Sequence, residues 1–177
     1  MNRLKQILKE ALDEVEVYGS WISLYYILKS IENDIEKLCK EPEVKYDITV
    51  DSLILFTIYR YNDKIDKTRL FALSFILYDY LSKNYKVQEP LFSIRWNRRY
   101  FIYSYRIESH LNTLLKKGLL IKRRTVYYLS ELGKNEAENL SIREKDMVKV
   151  NEIVNNFKAL RRVKEIRIYI RKYLMGS

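Results

Sequence analysis

Ser104-Tyr105-Arg106-Ile107-Glu108-Ser109-His110-Leu111-Asn112-Thr113-Leu114-Leu115-Lys116-Lys117-Gly118-Leu119-Leu120-Ile121-Lys122-Arg123-Arg124-Thr125-Val126-Tyr127-Tyr128-Leu129-Ser130-Glu131-Leu132-Gly133 is the stretch whose order of elements decides the fold. On a helical wheel over 104–117, Ile107, Leu111, Leu114, Leu115 and Gly118 fall on one side, which predicts the core face. Tyr105, Arg106, Ser109, Asn112, Thr113 and Lys116 lie largely on the other side. Gly118 ends the helix, because glycine tolerates the left-handed backbone that closes a last turn. Leu119-Leu120-Ile121 and Val126-Tyr127-Tyr128-Leu129 read as two short strands around a basic turn at 122–125. Ser130-Glu131-Leu132-Gly133-Lys134 opens a further short helix to about Leu140.

The flanks read mainly as helices. Leu4, Ile7, Leu8, Ala11, Leu12 and Val15 form one helical stripe. A second stripe runs from Trp21 to Leu38, with Ser20 as its cap and Pro42 beyond its end. A third helix starts near Thr49 and is broken by Asn62-Asp63-Lys64. Asp66 caps a fourth, which carries Leu70, Phe71, Leu73, Phe75, Ile76, Leu77, Tyr80 and Leu81. Alternation of Phe92, Ile94 and Trp96, and of Arg99, Phe101 and Tyr103, predicts an extended or hairpin-like segment. Ser141-Ile142-Arg143-Glu144 has capping-box spacing. Val150, Ile153, Phe157, Leu160, Val163, Ile166, Ile170 and Tyr173 then recur every three or four residues, which predicts one long helix to about Leu174.

Helix, glycine, strand, basic turn, strand and helix in that order describe a winged helix. The expected fold is mainly α with a small β-hairpin wing. A winged helix-turn-helix core covers 47–140, an N-terminal helical pair covers 1–46, and a long C-terminal helix covers 141–175. Only 4 Gly and 2 Pro in 177 residues disfavour a sandwich of many turns, and 47% hydrophobic residues suffice for a core.

Charge is divided along the chain. Residues 1–66 carry a net −4, and residues 67–177 a net +14. Between Arg95 and Arg124 stand nine basic residues and one acid, Glu108. A basic stretch interleaved with aromatics beside an amphipathic helix points to a polyanion. The expected DNA-binding residues are Arg95, Arg98, Arg99, Tyr105, Arg106, Ser109, Asn112, Thr113, Lys116, Lys117, Lys122, Arg123 and Arg124. Lysine and arginine neutralise phosphates, while Asn112, Ser109 and Thr113 suit base edges in the major groove. His110, at the edge of the apolar stripe, reads as half-buried or solvent-facing. The cation-rimmed C-terminal seam is expected to pair two copies, placing two recognition helices about 34–36 Å apart on duplex DNA, the alternative being that it packs against the N-terminal helices of the same chain.

Enzymatic work has little to use. The chain shows no glycine-rich phosphate loop, no paired histidines and no Cys–His couple. A lone Cys39 reads as a packing residue, and neither a metal nor another cofactor is expected. No run of 18 apolar residues and no leader pattern occur, so a cytoplasmic protein without a membrane span is expected. Abundant Ile, Tyr, Lys and Glu, with two Gln and one His, point to a thermophilic, archaeal source.

From about Leu53 to Leu140 the chain resembles the winged-helix group around YwgA-like proteins and SocA-type (Panacea) antitoxin domains. The residues that carry the likeness are Asp66-Lys67-Thr68-Arg69-Leu70, Phe92-Ser93-Ile94-Arg95-Trp96, the run from Leu111 to Ile121, and Tyr127-Tyr128-Leu129-Ser130-Glu131-Leu132-Gly133. In the spacing of Ile107, Leu111, Leu114, Gly118 and Leu119 it is also similar to archaeal winged-helix regulators. The resemblance implies a winged helix used either on DNA, as a transcriptional regulator, or on protein, as an antitoxin or assembly adaptor.

Overall fold

The computed structural model describes residues 45–98 and 100–176. The helical pair expected within 1–46, and Cys39 on it, lie outside the described residues. Thr49 starts the first helix of the described residues: its hydroxyl accepts from the Ser52 amide at 3.1 Å and caps α1 (Val50–Tyr61). The Gln88 side-chain oxygen accepts from the Val50 amide at 3.0 Å, so a distant segment satisfies a second free donor. At the other end Asn62 adopts φ 49°, a left-handed cap that turns the chain into β1 (Ile65–Asp66). Asp66 then accepts from the Arg69 amide at 3.0 Å and starts α2 (Lys67–Leu81). Both helices are apolar nearly all round and form the centre of the core, with Leu53, Ile54, Phe71, Leu73, Ile76 and Leu77 fully buried.

The chain leaves α2 through a long connection that holds a two-stranded hairpin, β2 (Ser93–Ile94) and β3 (Ile102–Tyr103). Ser104 caps α3 (Tyr105–Lys116): its hydroxyl accepts from the Ile107 amide at 3.0 Å and donates to the Pro90 carbonyl. Gly118 at φ 71° closes α3. β4 (Leu120–Arg123) and β5 (Val126–Leu129) follow as an antiparallel hairpin in which Arg123 faces Val126 and Leu120 faces Leu129. β1 pairs with the outer side of β5, giving a three-stranded sheet of order β1-β5-β4.

Ser130 joins the hairpin to its neighbours. Its hydroxyl donates to the Gly118 carbonyl at 2.7 Å and accepts from the Gly133 amide at 3.1 Å, capping α4 (Glu131–Glu138). Gly133 has no room for a side chain, because a Cβ there would lie 2.0 Å from the Leu119 carbonyl oxygen. The base of the β4–β5 hairpin is thus set by a close approach of helix to backbone.

The C-terminal region differs from the single long helix expected. It forms two helices, α5 (Glu144–Lys158) and α6 (Val163–Met175). Two groups explain the break. The Arg69 guanidinium takes the Leu160 carbonyl at 3.4 Å and the Arg161 carbonyl at 2.5 Å, oxygens that a continuous helix would use internally. Glu165 accepts from the amides of Arg161 (2.8 Å) and Arg162 (3.1 Å), which starts a new helix. The capping box read at Ser141 is not formed either; Arg143 precedes the first turn of α5 without a side-chain cap. Val150, Ile153, Phe157, Ile166 and Ile170, the seam expected to hold a second copy, are buried in the core of this same chain.

A buried carboxylate fastens α5. Asp146 is 3% exposed and accepts from Tyr80 (3.1 Å), Tyr85 (2.8 Å), Asn84 (3.4 Å) and the Arg143 Nε (2.9 Å). Burial pushes its pKa up, but these donors outweigh burial and hold it below the usual carboxylate range. No helix among the described residues is long and apolar enough to cross a membrane.

Candidate nucleic-acid interface

α3 is strongly two-sided. Ile107, Leu111 and Leu114 are buried, whereas Tyr105, Ser109, Asn112, Thr113, Lys116 and Lys117 are exposed. On this outer face the Thr113 hydroxyl donates to the Ser109 carbonyl at 3.3 Å. Tyr105 is 75% exposed at the first turn, an unusual position for a large ring.

Two cations of the helix are not free. Arg106 is half-buried and donates to the Glu89 carbonyl at 2.6 Å, so it anchors the loop before β2 rather than projecting from the outer face. Lys117 lies 3.4 Å from Asp51 of α1, whose other oxygen is 2.7 Å from the His110 Nδ1. His110 is half-buried, as its place at the edge of the stripe predicts, and its ring closes α3 onto the start of α1.

The β4–β5 hairpin exposes Lys122, Arg123, Arg124 and Thr125. The turn itself is Arg124-Thr125, narrower than the 122–125 expected because Lys122 and Arg123 continue β4, with Arg124 at φ 54°. Lys122 lies 5.6 Å from the Tyr127 ring and Arg123 5.5 Å from the Tyr128 ring. The Lys122 ammonium and the Arg123 guanidinium thus sit over tyrosine rings of the opposite strand, while both side chains remain exposed. Gly118 and Leu119 connect this hairpin to the end of α3.

The β2–β3 hairpin is held differently. Trp96 stacks on Phe101, the rings 6.0 Å apart and 9° from parallel. From α6, Arg171 sits 5.2 Å over Trp96, and Arg167 sits 5.3 Å over Phe101 while donating to the Arg98 carbonyl at 2.8 Å. Arg95 is exposed, with its guanidinium 4.8 Å over Tyr103. Arg98 is exposed; Arg99 lies outside the described residues. Arg167 and Arg171, which read in the sequence as part of a cationic rim, are thus fasteners of this hairpin. Nothing local in the sequence marks that role, since the partners stand about 70 residues apart.

Glu108, the one acid in the basic stretch, is neutralised locally. Its carboxylate accepts from Lys67 and Tyr103. Burial raises its pKa, yet the hydrogen bonds from Lys67 and Tyr103 prevail and leave it lowered. The Tyr103 hydroxyl is pushed up in turn, first by the bond to Glu108. Among the described residues, no group of three or more His, Cys, Asp or Glu side chains is arranged to hold a metal.

No protein-family model, no curated protein and no solved structure matches this chain.

Proposed function

We propose that the protein is a winged-helix DNA-binding protein acting as a transcriptional regulator. α3 enters the major groove, and the β4–β5 hairpin lies as a wing on the phosphate backbone. The observation that carries this reading is the exposed polar face of α3 (Ser109, Asn112, Thr113 and Lys116), linked by two residues to a hairpin with three adjacent exposed cations. Helix–strand–helix–helix–hairpin order with strand order β1-β5-β4 supports the winged-helix assignment. The long connection with its own hairpin replaces the short turn of the simplest helix-turn-helix.

Division of labour follows from chemistry. Arg123, Arg124 and Lys122 supply sequence-independent attraction, with Lys116 adding charge on the helix. Asn112 can pair with an adenine edge, and the Thr113 methyl can meet thymine. Arg106 and Lys117 act indirectly, by fixing the start and end of α3.

Selection of bound sites from a random duplex pool tests the proposal. Enrichment of a motif by the wild-type chain is expected, with loss of preference at one position in Asn112→Ala. Absence of DNA retention at moderate salt would refute it.

A second reading, a winged helix used on protein as an antitoxin or assembly adaptor, draws on three exposed apolar side chains. Leu91 (56% exposed), Ile94 (42%) and Tyr105 (75%) belong to the segment that Arg106 and Ser104 tie together. A stoichiometric protein held by the wild-type chain but released by Tyr105→Ser, together with no duplex binding, would favour this second reading.

A further inference from the structure

At the foot of the β4–β5 hairpin lies an open cavity of about 530 Å³, walled by the end of α1, the turn into β1, the end of β5 and α4. Its volume falls in the range of small-molecule sites, roughly 300–1,000 Å³. Ile58, Tyr59, Tyr128 and Leu129 supply an apolar and aromatic wall; Lys64 and Lys134 supply cations.

Three observations say what such a site takes. The Tyr128 hydroxyl is buried and has no hydrogen-bond partner among the described residues. A buried hydroxyl without a partner costs free energy, and a water or a ligand that reaches it relieves that cost. Lys64 is exposed, and its ammonium makes no ion pair among the described residues, whereas Lys134 is held 2.7 Å from Glu131. The lining carboxylate, Asp63, accepts from the Lys64 amide at 2.6 Å through one oxygen and keeps its charge, so the lining carries two ammoniums against one carboxylate. The Tyr59 hydroxyl is committed, donating to Glu138 at 2.8 Å. The cavity offers an aromatic wall, an ammonium outside any ion pair among the described residues, one unmet hydroxyl, and lining cations that outnumber the carboxylate two to one.

We propose that this cavity binds a small aromatic anion, its ring against Tyr128 and Ile58 and its acid group on Lys64. The site reaches the wing through Tyr128, because the Arg123 guanidinium lies 5.5 Å from the same ring. Occupancy therefore shifts Arg123 and the turn beyond it.

The test uses the full chain and 1-anilinonaphthalene-8-sulfonate, an aromatic anion whose fluorescence rises on burial. Saturable binding at one site is expected, weakened at least tenfold in Lys64→Glu and several-fold in Tyr128→Phe, with Arg171→Ala unchanged. Thermal melts establish that each variant is folded. Lys64 is exposed, so its replacement spares the core. Amide resonances of Arg123 to Val126 should shift in step with saturation. Equal affinity in wild type and Lys64→Glu would overturn the proposal. So would equally tight binding of N-phenyl-1-naphthylamine, the same body without the acid, or wing amides that do not move. None of these readouts involves DNA, so failure of DNA binding and failure of this site are distinguishable.

Discussion

In the β2–β3 hairpin, Trp96 and Phe101 stack under Arg171 and Arg167, and a guanidinium from α6 holds the Arg98 carbonyl. At the β4–β5 tip, Lys122 and Arg123 lie over tyrosine rings of their own hairpin, and they and Arg124 are all exposed. Both segments combine arginine with aromatic residues. In the first, the cations of another helix clamp the aromatics; in the second, the aromatics carry the hairpin's own cations outward. Net charge therefore locates a polyanion surface only coarsely. Which cations can reach a phosphate depends on which are already spent on carbonyls and carboxylates and which stay exposed.

Substitutions can sharpen or break this contrast. The largest effect is expected at the wing's base. Gly133→Ala places a methyl against the Leu119 carbonyl and should cost about 2–3 kcal/mol of stability, as overpacking does, read by denaturant unfolding. A loss below about 0.5 kcal/mol would mean that α4 does not set the hairpin's base, since that is the scale of an ordinary surface change.

Next comes removal of the tip charges. Arg123→Ala with Arg124→Ala should weaken binding to every duplex by about tenfold or more and lower the salt slope by about two. Fluorescence anisotropy across a salt series measures both; an unchanged slope would separate the wing from the phosphates. Stability should hardly change, because both side chains are exposed.

Arg167→Ala removes the same charge from the other hairpin and should show the reverse pattern. Loss of its place over Phe101 and of its bond to Arg98 should cost about 1 kcal/mol of stability, with the salt slope unaltered. If instead stability holds and the slope falls, the clamp is not one and the two hairpins are equivalent.

The smallest effect concerns pH at the junction of the two regions. Glu108 has a folded pKa below its unfolded value near 4.3, set against burial by bonds from Lys67 and Tyr103. A depressed carboxylate contributes stability that is fully present above the unfolded pKa and is lost as pH falls through the folded one. Thermal stability of the wild type should therefore drop more steeply below about pH 4 than that of Glu108→Gln, in line with that reference value. Parallel curves would show that Glu108 contributes no linkage.

Much of the local architecture was legible in the residues. Thr49, Asp66, Ser104 and Ser130 each cap the helix that follows, and each carries a short side-chain oxygen before an apolar-periodic run. Gly118 ends α3 because glycine alone takes that backbone without penalty. The buried stripe of Ile107, Leu111 and Leu114 follows from helical periodicity. The C-terminal break was not legible. The three- and four-residue spacing runs on through Leu160 and Val163, and the group that interrupts it, Arg69, comes from a helix some 90 residues earlier. Arg106 misled for a related reason. Its wheel position faces outward, but a long side chain can reach sideways to a carbonyl of the preceding loop.

Periodicity, caps and the placement of glycine act over four or five residues, so the helices on either side of the β4–β5 hairpin, the core face of α3 and its glycine end were written in the chain. Competition among cations for rings, carboxylates and carbonyls acts across 40 to 90 residues of sequence and a few ångströms of space. Folding alone assigned Lys67 to Glu108, Arg69 to the 160–161 carbonyls and Arg167 to Phe101, leaving Lys122, Arg123 and Arg124 open to solvent. Electrostatic and stacking contacts are short-ranged in space and indifferent to separation along the chain, which is why a linear pattern of charges cannot reveal them.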